Sequence, residues 1–312
     1  MSRKVVSRSE FIIKRLLIIL GCIISVLVIL VAVAKIVTII GRNKLEKNAN
    51  TQGPVMTDDA RSSEKIEGIY ESDWQEGWIS FNDKIYEYNK DIRTFLVLGI
   101  DDAHQGGDSK YFEMTDGGQS DGIFLVILNP HDKTIKVMAV NRDTQVDVLM
   151  VGVGEDGKDI VAKSQITNQH AFGGGGEYSC ELTRDAVSKL LYEIPIHGYV
   201  AVNYKAIPAI NDSVGGVTLT LPEDMDVTEI NKKWTPGSQI TLMGKDAYNF
   251  VHYRNVDVFE SQRSRLARQK LYLKNFINQT KAKTKEDITL PVTIFNKIKN
   301  DVVTDLTVDS IS

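Results

Sequence analysis

Asp101, Asp121, Arg142 and Asp143 are side-chain types suited to phosphate chemistry, and the chain between them is laid out to bring them together. Hard cations such as Mg²⁺ take one or two carboxylates and leave their other positions to water and phosphate oxygens. Asp101 and Asp121 are the candidate pair. A guanidinium matches phosphate oxygens with two parallel hydrogen bonds. A second set lies in HYRNVDVFESQRSRLARQ, which ends at Gln269. On a helix, Arg265, Arg268 and Gln269 fall at i, i+3 and i+4, on one face. Arg263 is turned from Arg265 by roughly 200° and points elsewhere. Arg254 lies before the start of this helix. Like charges at i, i+3 oppose one another unless an anion sits between them. Against these stand two plainer readings: Asp121 pairs with Arg142 while Asp101 caps a turn, and the helical arginines form a solvated basic face.

The elements that must position these residues follow from periodicity. SDGIFLVILNPHDKTIKVMAVNRDT, Ser120–Thr144, is two apolar runs around a turn centred on His131. Counting outward from that turn sets Asp121 opposite Asn141, beside Arg142 and Asp143. TFLVLGI, Thr94–Ile100, reads as a buried strand ending at Asp101, and strands adjacent in sequence are usually neighbours in a sheet. WISFNDKIYEY reads as a hairpin around Asn82-Asp83. The glycine-rich stretch from Asp101 to Ser120 is a long loop. LTRDAVSKLLYEI has a helical stripe, with Ser179 as its N-cap. GYVAVNY and GVTLTL read as strands, and KAIPAINDSV as a short helix. GKDAYNFVHYR and FESQRSRLARQKLYLKNFINQT read as helices separated by a turn at Asn255. This alternation predicts an α/β fold with helices covering a central sheet. Gly173–Gly176 precedes a helix but matches neither GxxxxGK[ST] nor GxGxxG, so it is read as a flexible loop. His170 and His252 are read as packing or polar-network residues. TDLTVDSIS ends as if a helix were beginning, which fits either a frayed terminus or a chain cut short.

The 312 residues, 42% hydrophobic and 25% charged, suffice for one large domain or two small ones. Leu16–Ala34 has no charge over 19 residues, which nearly matches a hydrocarbon core of about 30 Å. Beyond Lys35 the span can extend to Ile40. Arg3, Lys4, Arg8, Lys14 and Arg15 precede it against Glu10 alone, which places the N-terminus in the cytoplasm. No small-residue cleavage pattern closes the run, so it is read as a signal-anchor rather than a removed signal peptide. The expected organisation is a cytoplasmic basic segment 1–15, a transmembrane helix 16–40, a flexible tether 41–68 and an extracytoplasmic domain 69–312. Cys22 falls in the span and Cys180 stands alone outside it, which argues against a disulfide and excludes a thiolate zinc site. Residues 1–47 carry 9 basic and 2 acidic residues, leaving 28 of 37 basic and 39 of 41 acidic in the remainder, a net of −11. An acidic domain is a poor non-specific binder of nucleic acid.

The chain resembles the LytR-CpsA-Psr family, in FLVLGIDD, SDGIFLVILNP, MAVNRDT, ITNQHAFGGG, AIPAINDSVGGVTLTLP, LMGKDAYNFVHYR and RLARQK. The order of these segments is the family's, and they cover about residues 94–279. The resemblance implies a three-layer α/β/α sandwich with a central mixed sheet and an apolar tunnel for a polyprenyl tail. It implies a membrane-anchored, extracytoplasmic phosphotransferase, moving a glycopolymer from a polyprenyl-pyrophosphate carrier to peptidoglycan. It implies Mg²⁺ on Asp101 and Asp121, and pyrophosphate on Arg142, Arg254, Arg265, Arg268 and Gln269. Arg142 and Arg268 would act in catalysis with Asp143, a candidate base that could equally orient Arg142. Gln119, His252 and Gln262 stand where members often carry Arg, Arg and Asp. The competing class is a non-catalytic polyprenyl-phosphate-binding protein that regulates envelope synthesis.

Overall fold

The computed structural model describes residues 38–51, 53–54, 78–82, 84–101, 117–255, 257–258 and 261–307. Most of the expected span and tether, and loop residues 102–116, lie outside the described residues. Among the described residues, no helix is long and apolar enough to cross a membrane. Residues 38–48 form a helix, so the segment expected to be a tether from 41 begins as helix instead. Arg42 and Glu46, one turn apart at 3.2 Å, support it. The chain divides into two compact units, one containing this helix and the residues from Leu306, the other Ala49–Asp305.

In the larger unit, strands β1 (Trp78–Phe81) and β2 (Lys84–Glu87) form the expected hairpin. Strands β3 (Arg93–Ile100), β4 (Ser120–Asn129) and β5 (Thr134–Val140) follow. Next come β6 (Gln145–Met150), β7 (Ile160–Gln165), the single turn α1 (Asn168–Ala171) and helix α2 (Gly176–Leu190). Then come β8 (Tyr199–Asn203), α3 (Ile207–Ser213), β9 (Val217–Thr220) and β10 (Gln239–Leu242). Helices α4 (Gly244–His252), α5 (Ser261–Glu286) and α6 (Leu290–Ile298) lead to β11 (Val302–Thr304). The central sheet has the order β11-β8-β3-β4-β5 and is mixed: β3 and β8 are parallel, the other pairs antiparallel.

Alternation along the strands sorts the side chains. Leu96, Leu98, Ile123 and Leu125 pack with Cys180, Ala186 and Val187 of α2 in one apolar cluster. Val97, Gly99, Gly122, Phe124 and Val202 line a cavity with residues of α3, α4 and α5. A second apolar cluster joins Val251 and Tyr272 to Leu290 and Ile294.

Two local expectations are corrected. Asn129 pairs with Thr134, and Ile123 with Val140. The hairpin centre therefore lies between His131 and Asp132, and the count extends to Asp121 opposite Arg142 rather than Asn141. The Asn129 carboxamide shapes this turn by accepting the backbone N–H groups of His131 and Asp132, at 3.0 and 3.3 Å. Ser179 is not an N-cap, because α2 starts three residues earlier. Its hydroxyl accepts the Gly175 N–H and donates to the His170 carbonyl, both at 2.7 Å. Gly174, Gly175 and Gly176 all have positive φ, a backbone that side-chain-bearing residues rarely adopt.

Candidate functional site

The carboxylate of Asp121, buried at the start of β4, lies between two arginines from distant parts of the chain. Its Oδ1 is ion-paired with Arg142, and its Oδ2 is 2.7 Å from an Arg265 Nη. Arg142 follows the end of β5, and Arg265 stands on the first turns of α5. The hairpin register and the helix phase meet at this one carboxylate. Two guanidiniums face one carboxylate in a site from which water is largely excluded, and the charges of Asp143 and Asp101 are also felt there. Burial pushes the Arg142 guanidinium down to about 10, with Arg265 adding to the depression and Asp143 opposing it. Burial likewise lowers Arg265. Such a pair is poised to gain from an arriving anion.

Neutral amides orient both arginines. Arg142 donates to Gln119 Oε1 at 3.2 Å, and Arg265 to Gln262 Oε1 at 2.9 Å. An amide fixes a guanidinium without cancelling its charge. Gln119 also joins the two aspartates. Its N–H meets Asp101 Oδ1 at 2.5 Å, and its carbonyl accepts the N–H groups of Asp101 and Asp121 at 3.1 Å. Asp101 meets this peptide through its carboxylate and Asp121 through its N–H, so a cation on the pair would share the Asp121 carboxylate with Arg142 and Arg265 and draw its remaining ligands from water and phosphate. Among the described residues, no group of three or more His, Cys, Asp or Glu could hold a metal by protein ligands alone. Asp143 is partly exposed, with Oδ1 at 3.6 Å from Arg142 Nε.

Arg265, Arg268 and Gln269 are 5%, 4% and 6% exposed, so the solvated-face reading of this helix is wrong. Arg268 nevertheless differs from Arg265. It donates to the carbonyls of Phe250, at 2.8 Å, and Tyr253, and to Ser264 Oγ at 3.2 Å. Gln269 donates to the Val251 carbonyl at 3.1 Å. These are the orphan carbonyls around the end of α4. Burial, and then Arg265, lower Arg268 to about 10. Arg268 lines a cavity of about 200 Å³ with Arg254, Asp226 and Glu229. Arg142 and Arg265 line a different, smaller cleft of about 30 Å³ with Asp121 and Gln269. Arg254 is thus outside the Asp121 cleft, although its charge is felt at Arg142.

An apolar cavity of about 170 Å³ adjoins this cleft, and Gln269 lines both. Its walls are Val97, Phe124, Val202 and Ile210, with Tyr272, Leu273 and Phe276 of α5. Gly99 and Gly122 face each other across β3 and β4. A Cβ on Gly99 would come 2.6 Å from the Tyr204 ring, so this gap exists because both strands carry glycine there.

The model of the LytR_cpsA_psr family matches residues 47–312. The chain belongs to this family. Among curated relatives, a polyisoprenyl-teichoic acid–peptidoglycan teichoic acid transferase TagU of Bacillus licheniformis is 28% identical over 71% of this chain and 62% of its own length. The corresponding TagT of Bacillus subtilis is 31% identical over 56% of this chain and 49% of its own. The matched region therefore spans less than two thirds of either relative. Among solved structures, B. subtilis TagV superimposes with a TM-score of 0.52 at 24% identity, over 72% of this chain and 77% of that one. TagT bound to LIIa-WTA gives 0.50 at 25%, over 73% and 76%. The mixed α/β fold with a central mixed sheet is that of these structures.

Within this LytR_cpsA_psr chain, two residues stand out that the site reading passed over. Tyr204 is buried, forms part of the apolar wall and lies 3.4 Å from Gln269 Nε2 through its hydroxyl. A lone tyrosine between a strand and a helix gives no signal for this. Asn168 accepts from Gln119 Nε2 at 2.8 Å and so anchors the residue that orients Arg142. The histidines match expectation. Buried His170 contacts the Gly118 carbonyl at 3.0 Å, and His252 stacks on Tyr248 with centroids 4.8 Å apart. The contacts of Arg268 lead to a stability prediction. Arg268→Ala strands the α4 carbonyls and lowers unfolding free energy by about 1.5–3 kcal/mol, read as a fall in denaturation midpoint. Arg268→Lys recovers little of it, because an ammonium cannot span acceptors on residues 250, 253 and 264.

Proposed function

We propose that this protein is a transferase of cell-wall assembly, moving a glycopolymer from a polyprenyl-pyrophosphate carrier to peptidoglycan. The observation that carries the reading is the junction at Gln269, where an arginine-lined cleft opens beside an apolar cavity. A lipid pyrophosphate needs that pairing: cations for its head and a dry groove for its tail. The names of the TagU and TagT relatives, and the LIIa-WTA complex of TagT, support it. The uncharged run Leu16–Ala34 supports a membrane anchor with an extracytoplasmic domain, which keeps the site within reach of a lipid carrier.

In the proposed reaction, an acceptor hydroxyl attacks the sugar-linked phosphorus. A new P–O bond forms to the acceptor, the bond to the bridging oxygen breaks, and polyprenyl phosphate leaves. Arg142 and Arg265 hold the pyrophosphate and stabilise charge that grows on its oxygens. Asp143, partly exposed beside Arg142, receives the hydroxyl proton. Asp101 and Asp121 would hold Mg²⁺, which when bound neutralises further phosphate charge.

The test is incubation with labelled lipid-linked glycan and peptidoglycan oligomers, with and without Mg²⁺. Label appearing on peptidoglycan supports the transferase. Retained donor without transfer under every condition would instead favour a lipid-phosphate receptor. A variant checks the lipid route separately. Gly122→Leu places a branched side chain where a Cβ already meets Tyr204 and Phe124 at 3.3 and 3.4 Å. It is expected to lower transfer from a long-chain donor at least about tenfold, while inorganic pyrophosphate binds as before. Equal loss of both would show general damage rather than a blocked groove.

A further inference from the structure

Helix α6 turns Leu290, Ile294 and Ile298 into the apolar cluster it shares with α4 and α5. Its outer side carries a second apolar stripe. Val292 and Phe295 are 62% and 50% exposed, three residues apart on one face of the helix, and Ile288, 85% exposed, stands in the turn just before it. Nothing in the proposed chemistry uses them. Residues 281–300 also carry five lysines, at 281, 283, 285, 297 and 299, against Glu286 and Asp287. This is a local excess of positive charge in a chain whose residues 48–312 have a net charge of −11. All five lysines are exposed.

From this pattern we infer that the outer face of α6 docks on an anionic lipid surface. Two apolar side chains on the helix and one in the turn before it, bracketed by lysines, match an interfacial segment, which sinks its apolar face about 5–10 Å into the headgroup region. Lys283 pairs with Glu286 and Lys297 donates to Ser213 Oγ, each at 3.1 Å, so Lys281, Lys285 and Lys299 supply the ammonium groups that reach lipid phosphates. A protein partner fits less well, since a stable interface needs about 800 Å² from each side. The docking deepens the transferase reading and rests on its lipid donor only for its purpose. Helices α3 and α5, against which α6 packs, supply Ile210 and Phe276 to the apolar cavity. A bilayer seated on α6 would meet the protein beside those walls.

The test uses the full chain reconstituted in vesicles and does not measure transfer. In a Cys22→Ser background, Val292→Cys carries an environment-sensitive dye, since Cys180 is buried and unreactive. Val161→Cys, 64% exposed on β7, is the reference position. With phosphatidylglycerol present, emission at 292 should shift to the blue and rise about twofold over phosphatidylcholine alone, with no change at 161. Lys285→Glu combined with Lys299→Glu should cut the docked fraction about tenfold or more. Identical emission at 292 in both lipids overturns the proposal. So does a shift that survives charge reversal and grows with protein density, which would mean that a second copy covers the stripe.

Discussion

Asp121→Ala is expected to cost about 3–5 kcal/mol of folding free energy, because it leaves two buried guanidiniums facing each other without their carboxylate. Arg142 and Arg265 both meet this side chain, and each is already lowered by burial. Their mutual repulsion is then offset only by the more distant charges of Asp143 and Asp101. Inorganic pyrophosphate should restore part of the loss, since an anion can take the carboxylate's place between them. Asp143→Ala is the comparison. Its carboxylate is a third exposed and 3.6 Å from Arg142, so its removal should cost at most about 1 kcal/mol. Denaturant midpoints with and without pyrophosphate read both effects. Similar midpoints for the two variants would mean that Asp121 is not the electrostatic centre of the site.

The second large effect concerns Arg265. If it holds charge that develops on the pyrophosphate, Arg265→Ala lowers transfer by on the order of 10²–10³. Arg265→Lys should rescue little, because one ammonium cannot meet Asp121 and Gln262 together in the geometry of the fork. Arg263, two residues away, also lines this cleft rather than pointing elsewhere as helix phase suggested, but it is exposed and its loss should cost at most a few-fold. Rates are compared on variants of matched stability. Equal rates for Arg265→Ala and Arg263→Ala would remove α5 from the reaction.

Strand period and helix phase made much of this legible from residue order. TFLVLGI and the Ser120–Thr144 hairpin appear as strands, and Arg265, Arg268 and Gln269 share a face as their spacing requires. What residue order could not convey was burial. A helix bearing four arginine and lysine residues between 263 and 270 looks solvated until the sheet is placed against it. Nor could it separate Arg265, aimed at a carboxylate, from Arg268, spent on carbonyls of the preceding helix, because both distinctions depend on where α4 ends in space. The hairpin β6–β7 was within reach: Val146 and Val148 are buried while Gln145 and Asp147 are exposed, a clean alternation. Helix α6 was partly within reach: Leu290, Ile294 and Ile298 recur every four residues, although Val292 and Phe295 on the other side blur the stripe.

The turn from Pro130 to Lys133 is exposed and touches no part of the site, yet it governs the meeting of Asp121 and Arg142. Nine or so strand residues separate them, roughly 30 Å at about 3.3 Å each. Substitutions in that turn should be nearly silent, because solvent absorbs them. Loss or gain of one residue is a different kind of lesion. Strands locked by a buried face cannot slide by one position without exchanging their two faces. The slack must then come out at the far end, where Arg142 would be carried past its carboxylate. Natural variation at this turn should therefore be rich in spelling changes and poor in length changes, a signature expected of a spacer rather than of a surface loop.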